Sequence, residues 1–123
     1  MNAEADGNLK VAVERERAGD RDVTVMVLDG DFDLPAVDGY DEVFAEVRKD
    51  AVAVVVDTTG VRFVDSSGLN ALARSREAAE SDGFPLAVVV AGESAVDRVL
   101  DVSGLTDVLD PAPDRAAAIA ALR

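Results

Sequence analysis

Residues 52–56, Val-Ala-Val-Val-Val, are apolar at every position and β-branched at all but Ala53. Side chains on a strand alternate between the two faces of a sheet, so a strand with no polar side needs cover on both. Parallel strands between layers of helices meet that need. The chain on either side of this run must therefore supply neighbouring strands and crossover helices.

Upstream, Leu9, Val11 and Val13 fall on one side of a half-buried strand over residues 9–14, and residues 23–28 form a second. The charged segment between them contains Ala18-Gly19-Asp20, a turn, so the two predict a hairpin. Pro35 then opens a helix whose inward face is Val37, Tyr40, Val43, Phe44 and Val47, with the cap near Asp33 or Leu34. Residues 1–8 are polar and are expected to be a flexible tail.

Downstream of residues 52–57 come Val61-Arg62-Phe63-Val64-Asp65-Ser66-Ser67-Gly68-Leu69 and a helical pattern over residues 69–79, closed by Gly83. A second buried strand covers residues 86–91, and a short helix covers 94–102 before Ser103-Gly104. A short last strand is expected at 105–109, and an Ala-rich helix at 113–122. The expected order is ββαβαβαβα: an α/β domain over residues 9–123 with one mixed sheet of about four or five strands and four helices.

The chain has no Cys and no His, which removes disulfides, thiol nucleophiles, imidazole acid/base chemistry and the usual zinc ligands. A serine nucleophile would need Lys or a carboxylate, and the only lysines, Lys10 and Lys49, sit in no serine–lysine motif. Glycine-rich phosphate loops and dinucleotide fingerprints are absent. Asp29, Asp31, Asp33, Asp57 and Asp65 gather at strand ends, where parallel α/β sheets bind ligands, but Asp is equally favoured in turns and caps. The expectation is a protein that is not an enzyme and uses no cofactor or metal.

The net charge is −13, from 25 acidic residues against 12 basic. Nucleic acid and anionic membrane are poor partners for such a surface; a basic protein surface is a better one. No apolar run approaches the roughly 20 residues that span a bilayer, and no signal-peptide pattern opens the chain, so a cytoplasmic location without membrane insertion is expected.

Ser66 and Ser67 stand at the mouth of the second helix. One Ser could cap it, accepting from first-turn N–H groups; that accounts for one hydroxyl and leaves the other. The other could accept a phosphoryl group of about −1.5 to −2 charge, tolerated at a helix N-terminus. Gly68 and Ala71 are small enough to let a partner approach. From the residues alone, cap and modified site both remain open.

The stretch from Val54 to Leu69, VVVDTTGVRFVDSSGL, resembles the STAS domain of bacterial anti-sigma factor antagonists, in which a buried strand ending in Asp leads to Phe, an apolar residue and Asp-Ser-Ser-Gly-Leu. Gly30-Asp31-Phe32-Asp33 is similar to the family's Gly-Glu-Leu-Asp loop, and Val99-Leu100-Asp101-Val102-Ser103-Gly104-Leu105 to its third-helix ending. The likeness covers about residues 9–122. It implies a STAS fold and a non-catalytic domain whose unphosphorylated form binds an anti-sigma factor, a serine kinase of histidine-kinase-like ATPase fold, and so frees a sigma factor. It further implies phosphorylation at Ser67, with Ser66 the less favoured acceptor, and a serine phosphatase that resets the switch. Asp33 matches a partner-contacting position; Asp31, Asp65, Ser66, Ser67, Gly68 and Ala71 complete the expected contact surface. Asp31 replaces Glu and Phe32 replaces Leu; the bulkier Phe32 either belongs to the core or alters which partner fits. A non-switching STAS adaptor in a signalling assembly or lipid-transport complex is the alternative.

Overall fold

The computed structural model describes residues 2–4 and 8–122. Strand β1 is Asn2–Glu4, β2 Leu9–Ala18 and β3 Arg21–Phe32. Helix α1, Leu34–Val47, leads to β4, Val54–Val64, and α2, Ser66–Asp82, leads to β5, Leu86–Val89. Three shorter helices come after β5: α3 Ala95–Ser103, α4 Thr106–Leu109 and α5 Arg115–Ala121.

The five strands form one mixed sheet in sequence order. β1, β2 and β3 pair antiparallel, while β3, β4 and β5 pair parallel through the crossovers α1 and α2. The hairpin turns at Gly19, whose φ of 65° suits a residue without Cβ. Gly83 closes α2 in the left-handed conformation, as its sequence position predicts.

The two faces of the sheet are covered unequally. Met26, Leu28, Phe32, Val54 and Val56 pack under α1, α2, α3 and α4, meeting Tyr40, Phe44, Leu69, Leu72, Leu100 and Leu109. On the other face Val23, Val25, Ala53, Val55, Ala87 and Val89 are buried against Ala118, with Ile119 and Leu122 at the margin, so among the described helices only α5 lies over them. An open cavity of about 210 Å³ beside α5 on this face is lined by Ala18, Asp20, Arg21, Val23, Ile119 and Leu122.

Several expectations are corrected. The strand expected at residues 105–109 is the short helix α4; the sheet position beside β5 is taken by Ala112, which bridges Val89 in parallel. The described residues therefore contain five helices rather than four. Asn2–Glu4, expected in a tail, pair with β2 opposite residues 10–12; Met1 and residues 5–7 of that tail lie outside the described residues. β4 starts at Val54 rather than Val52, which is 56% exposed, and it runs on through Val64.

An irregularity in β4 sets how the strand enters α2. Gly30 pairs with Val61 but Asp31 pairs with Phe63, so Arg62 is an extra residue that β3 does not match. Val61 and Val64 are three apart yet both belong to the same core cluster, which a regular two-residue alternation forbids. The bulge at Arg62 resets the alternation. Phe63 consequently faces away from α1 and α2, on the same side as Asp31.

Candidate functional site

At their C-terminal ends β3 and β4 run side by side with Phe32 opposite Val64, and each strand passes straight into a helix. The two junction residues are both Asp, with nearly the same backbone: Asp33 has φ −112° and ψ −177°, Asp65 φ −115° and ψ −175°. The Asp65 N–H donates to the Phe32 carbonyl at 3.4 Å, tying the junctions together. Two helix N-termini, each carrying a partial positive charge, thus open side by side at the C-terminal end of the parallel strands.

The two carboxylates behave differently. Asp65 Oδ1 accepts from the Ser67 N–H at 2.9 Å and the Gly68 N–H at 3.2 Å, so Asp65 caps α2. Asp33 makes no side-chain cap, and its Oδ1 is buried without a hydrogen-bond partner among the described residues. The expectation that one serine of the pair could cap the helix is corrected: Asp65 is the N-cap, and Ser66 and Ser67 are the first two residues inside α2. The cap being supplied from outside the pair leaves both hydroxyls free of that duty. Ser66 is exposed and Ser67 half-buried, and neither hydroxyl has a hydrogen bond among the described residues.

Gly68 and Ala71, expected on the contact surface, face inward; Ala71 is 0% exposed. A Cβ on Gly68 would lie 2.3 Å from the Phe32 carbonyl oxygen, so this glycine lets α2 press against the end of β3. Phe32 is fully buried, with its ring centroid 4.9 Å from that of Tyr40. Its substitution for the family's Leu is therefore accommodated in the core.

α1 and α2 are also fixed to each other from within. The Tyr40 hydroxyl and Ser75 Oγ share a buried hydrogen bond of 2.8 Å, and Ser75 Oγ donates to the Ala71 carbonyl at 3.1 Å. Burial pushes the Tyr40 hydroxyl well above the ordinary phenol range. On the surface of the same pair, Arg74 meets Asp41 at 3.2 Å and Arg48 meets Asp82 at 2.8 Å.

The five strand-end aspartates do not form one cluster. Asp33 and Asp65 flank the serines, and half-buried Asp31 stands beside Phe63 on the opposite sheet face with Asp29. Asp57 is committed elsewhere: it accepts from Thr59 N–H at 2.9 Å and from Arg115 Nη2 at 2.9 Å, and Arg115 also reaches Glu16 at 2.9 Å. The described residues hold no group of three His, Cys, Asp or Glu arranged to bind a metal. No described helix is long and apolar enough to cross a membrane.

Two exposed apolar residues at this end are not expected from motif reasoning: Leu34, 67% exposed directly after Asp33, and Phe63, 51% exposed two residues before Asp65. The signal for Phe63 lay in the spacing of Val61 and Val64, which places two apolar residues on one face only if the strand bulges between them.

A single mixed sheet with paired helix N-termini at adjoining parallel strand ends defines a small α/β domain of the STAS type. The chain belongs to the STAS domain family: the family model described as Mlab, STAS domain, matches residues 16–110. No curated protein matches the sequence. Among solved structures, an anti-sigma factor antagonist from Mycobacterium paratuberculosis is 25% identical, with TM-score 0.75 over 92% of this chain and 94% of that one. The phosphorylated form of the Bacillus cell fate determinant SpoIIAA is 21% identical, with TM-score 0.55 over 82% and 91% of the two chains. A sulfate transporter family protein from Wolinella succinogenes shares the fold at 19% identity and TM-score 0.65, over 80% and 82%.

Proposed function

We propose that this protein is an anti-sigma factor antagonist that works by partner switching. Its unphosphorylated form binds an anti-sigma factor serine kinase and so releases a sigma factor; phosphorylation of Ser67 ends the binding, and a serine phosphatase restores it. The observation that carries this reading is the pair of hydroxyls left uncommitted by the Asp65 cap, with Ser67 at the second position of α2. Similarity to the mycobacterial antagonist supports it.

The geometry supplies a physical switch. The N–H groups of Ser67 and Gly68 that could receive a phosphoryl group are already held by Asp65. A dianion on Ser67 therefore adds to the Asp65 charge and is only partly neutralised by the helix end. A partner site built for basic groups against acidic ones, and carrying nucleotide phosphates, meets repulsion there. About 3 kcal/mol of repulsion weakens binding more than a hundredfold.

Incubation with the cognate kinase and ATP is expected to add one phosphate, located at Ser67 by mass spectrometry. Ser67→Ala is expected to bind constitutively and take up no phosphate, and Ser67→Asp to lose binding. Full phosphorylation of the Ala variant would remove the assignment to Ser67. A second reading, a non-switching adaptor subunit of a signalling assembly or lipid-transport complex, draws on the family description. Co-purification with transport subunits and no kinase would favour it.

A further inference from the structure

We infer that Phe63 is an apolar anchor for the protein partner, presented on the side of the sheet opposite α1 and α2; this rests on the partner-switching reading and extends the contact surface beyond the serines. An aromatic ring half in water loses hydrophobic stabilisation without gaining a hydrogen bond, so its outward position calls for a physical reason. Only the extra residue Arg62 turns Phe63 outward while Val61 and Val64 both stay in the core. Bulges that re-aim a side chain are typical of the neighbourhood of functional sites.

The ring is uncovered because α5 lies over the other half of that face, on Val23, Val25, Val55 and Val89. Asp31 is its register partner, and exposed Asp29 lies two residues back on the same face, opposite Lys10 of β2. The bulged Arg62 is exposed beside it. An exposed aromatic side chain with Asp31 and Asp29 along the same face, on a chain of net charge −13, fits a partner with an apolar pocket bordered by basic groups: the ring supplies the buried anchor and the acidic surface speeds encounter. The serine kinase is the occupant this chemistry selects, because its site near Ser67 must carry basic groups for nucleotide phosphates.

The test compares full-length wild type, Phe63→Ser, Phe63→Leu and, as a control, Val102→Ser at an 86% exposed apolar position on α3. The probe is a purified anti-sigma serine kinase that phosphorylates wild-type Ser67. Phe63→Ser is expected to raise Kd and the KM for Ser67 phosphorylation at least tenfold with kcat unchanged; Phe63→Leu is expected to fall between it and wild type, and Val102→Ser to match wild type. Hydrogen exchange of the wild-type complex, which needs no variant, is expected to show protection at residues 61–64. Binding of Phe63→Ser within twofold of wild type, or no protection at residues 61–64, overturns the anchor while leaving the Ser67 switch standing. A wild-type homodimer that Phe63→Ser dissolves would also overturn it, assigning the face to a second copy. A chain that no kinase phosphorylates at Ser67 defeats the switch reading and the anchor with it.

Discussion

Asp33 and Asp65 come directly after register-paired residues on adjacent parallel strands and share one backbone conformation, yet only Asp65 holds the N–H groups of its helix. Asp33 keeps a buried oxygen without a partner among the described residues, a condition that costs stability in the free protein. Asp65→Ala is expected to lower stability by about 1 kcal/mol, the usual loss of an N-cap. Asp33→Ala removes that unpartnered oxygen and is expected to leave stability unchanged or raise it, while weakening the proposed kinase complex. Urea denaturation and a binding titration separate the two effects; equal losses of stability would show that Asp33 caps α1 in solution.

Gly68→Ala sets two effects against each other. Ala is favoured over Gly inside a helix by about 1 kcal/mol. Its Cβ, however, would stand 2.3 Å from the Phe32 carbonyl oxygen and 3.0 Å from Val64 Cγ2. Backbone cannot yield as a flexible side chain can, so the clash prevails. A net destabilisation of about 2 kcal/mol is expected from chemical denaturation; a stabilised variant would mean that α2 moves freely against β3.

Tyr40 is the only tyrosine and the chain has no tryptophan, so alkaline ultraviolet absorbance reports this one hydroxyl. Burial holds the neutral form in the folded state, with its pKa raised above the unfolded value of 10.0. The associated stability is fully present below about pH 10 and is lost as pH rises through the folded value. Phenolate absorbance is therefore expected to appear together with loss of helical circular dichroism rather than before it. Titration of Tyr40 near pH 10 in a protein that remains folded would contradict the buried pairing with Ser75.

At the other extreme of pH, Asp57 responds. Burial raises its pKa, but hydrogen bonds from Thr59 and the Arg115 guanidinium outweigh that and hold it below the usual carboxylate range. A depressed folded pKa contributes stability above the unfolded value of about 4, and this is lost as pH falls through the folded value. Arg115→Ala leaves a carboxylate whose side chain is 7% exposed without its cation. The cost is expected to be about 2 kcal/mol, below that of a fully buried pair because Arg115 is itself a third exposed. The acid limb of the variant's stability curve is expected to flatten; an unchanged limb would show that the ion pair is not formed in solution.

The parallel core was legible because the Val-rich run of β4, the helical spacing of Tyr40, Phe44 and Val47, and Gly83 each point to one local structure. Residues 105–109 suit a strand and a helix equally, because five residues are too few for a period of 2 to be told from one of 3.6. The edge position went instead to Ala112, whose small side chain carries no strand signal. The cap of α2 falls on Asp65 rather than on either serine, since Asp and Ser both cap well and only geometry shows which of them reaches the N–H groups. The outward turn of Phe63 follows from the bulge at Arg62 against β3, of which the three-residue spacing of Val61 and Val64 is the local sign.

The unequal cover of the sheet has a consequence for biosynthesis. Every strand precedes α5 in the chain, so a ribosome delivers Val23, Val25, Val55 and Val89 before the seven-residue helix that buries them has emerged. Until then the nascent domain shows a continuous valine-lined surface of high β propensity, which other chains can meet. Closing that surface depends on α5, and Arg115, paired with Asp57 and Glu16, ties the helix to the strands it covers.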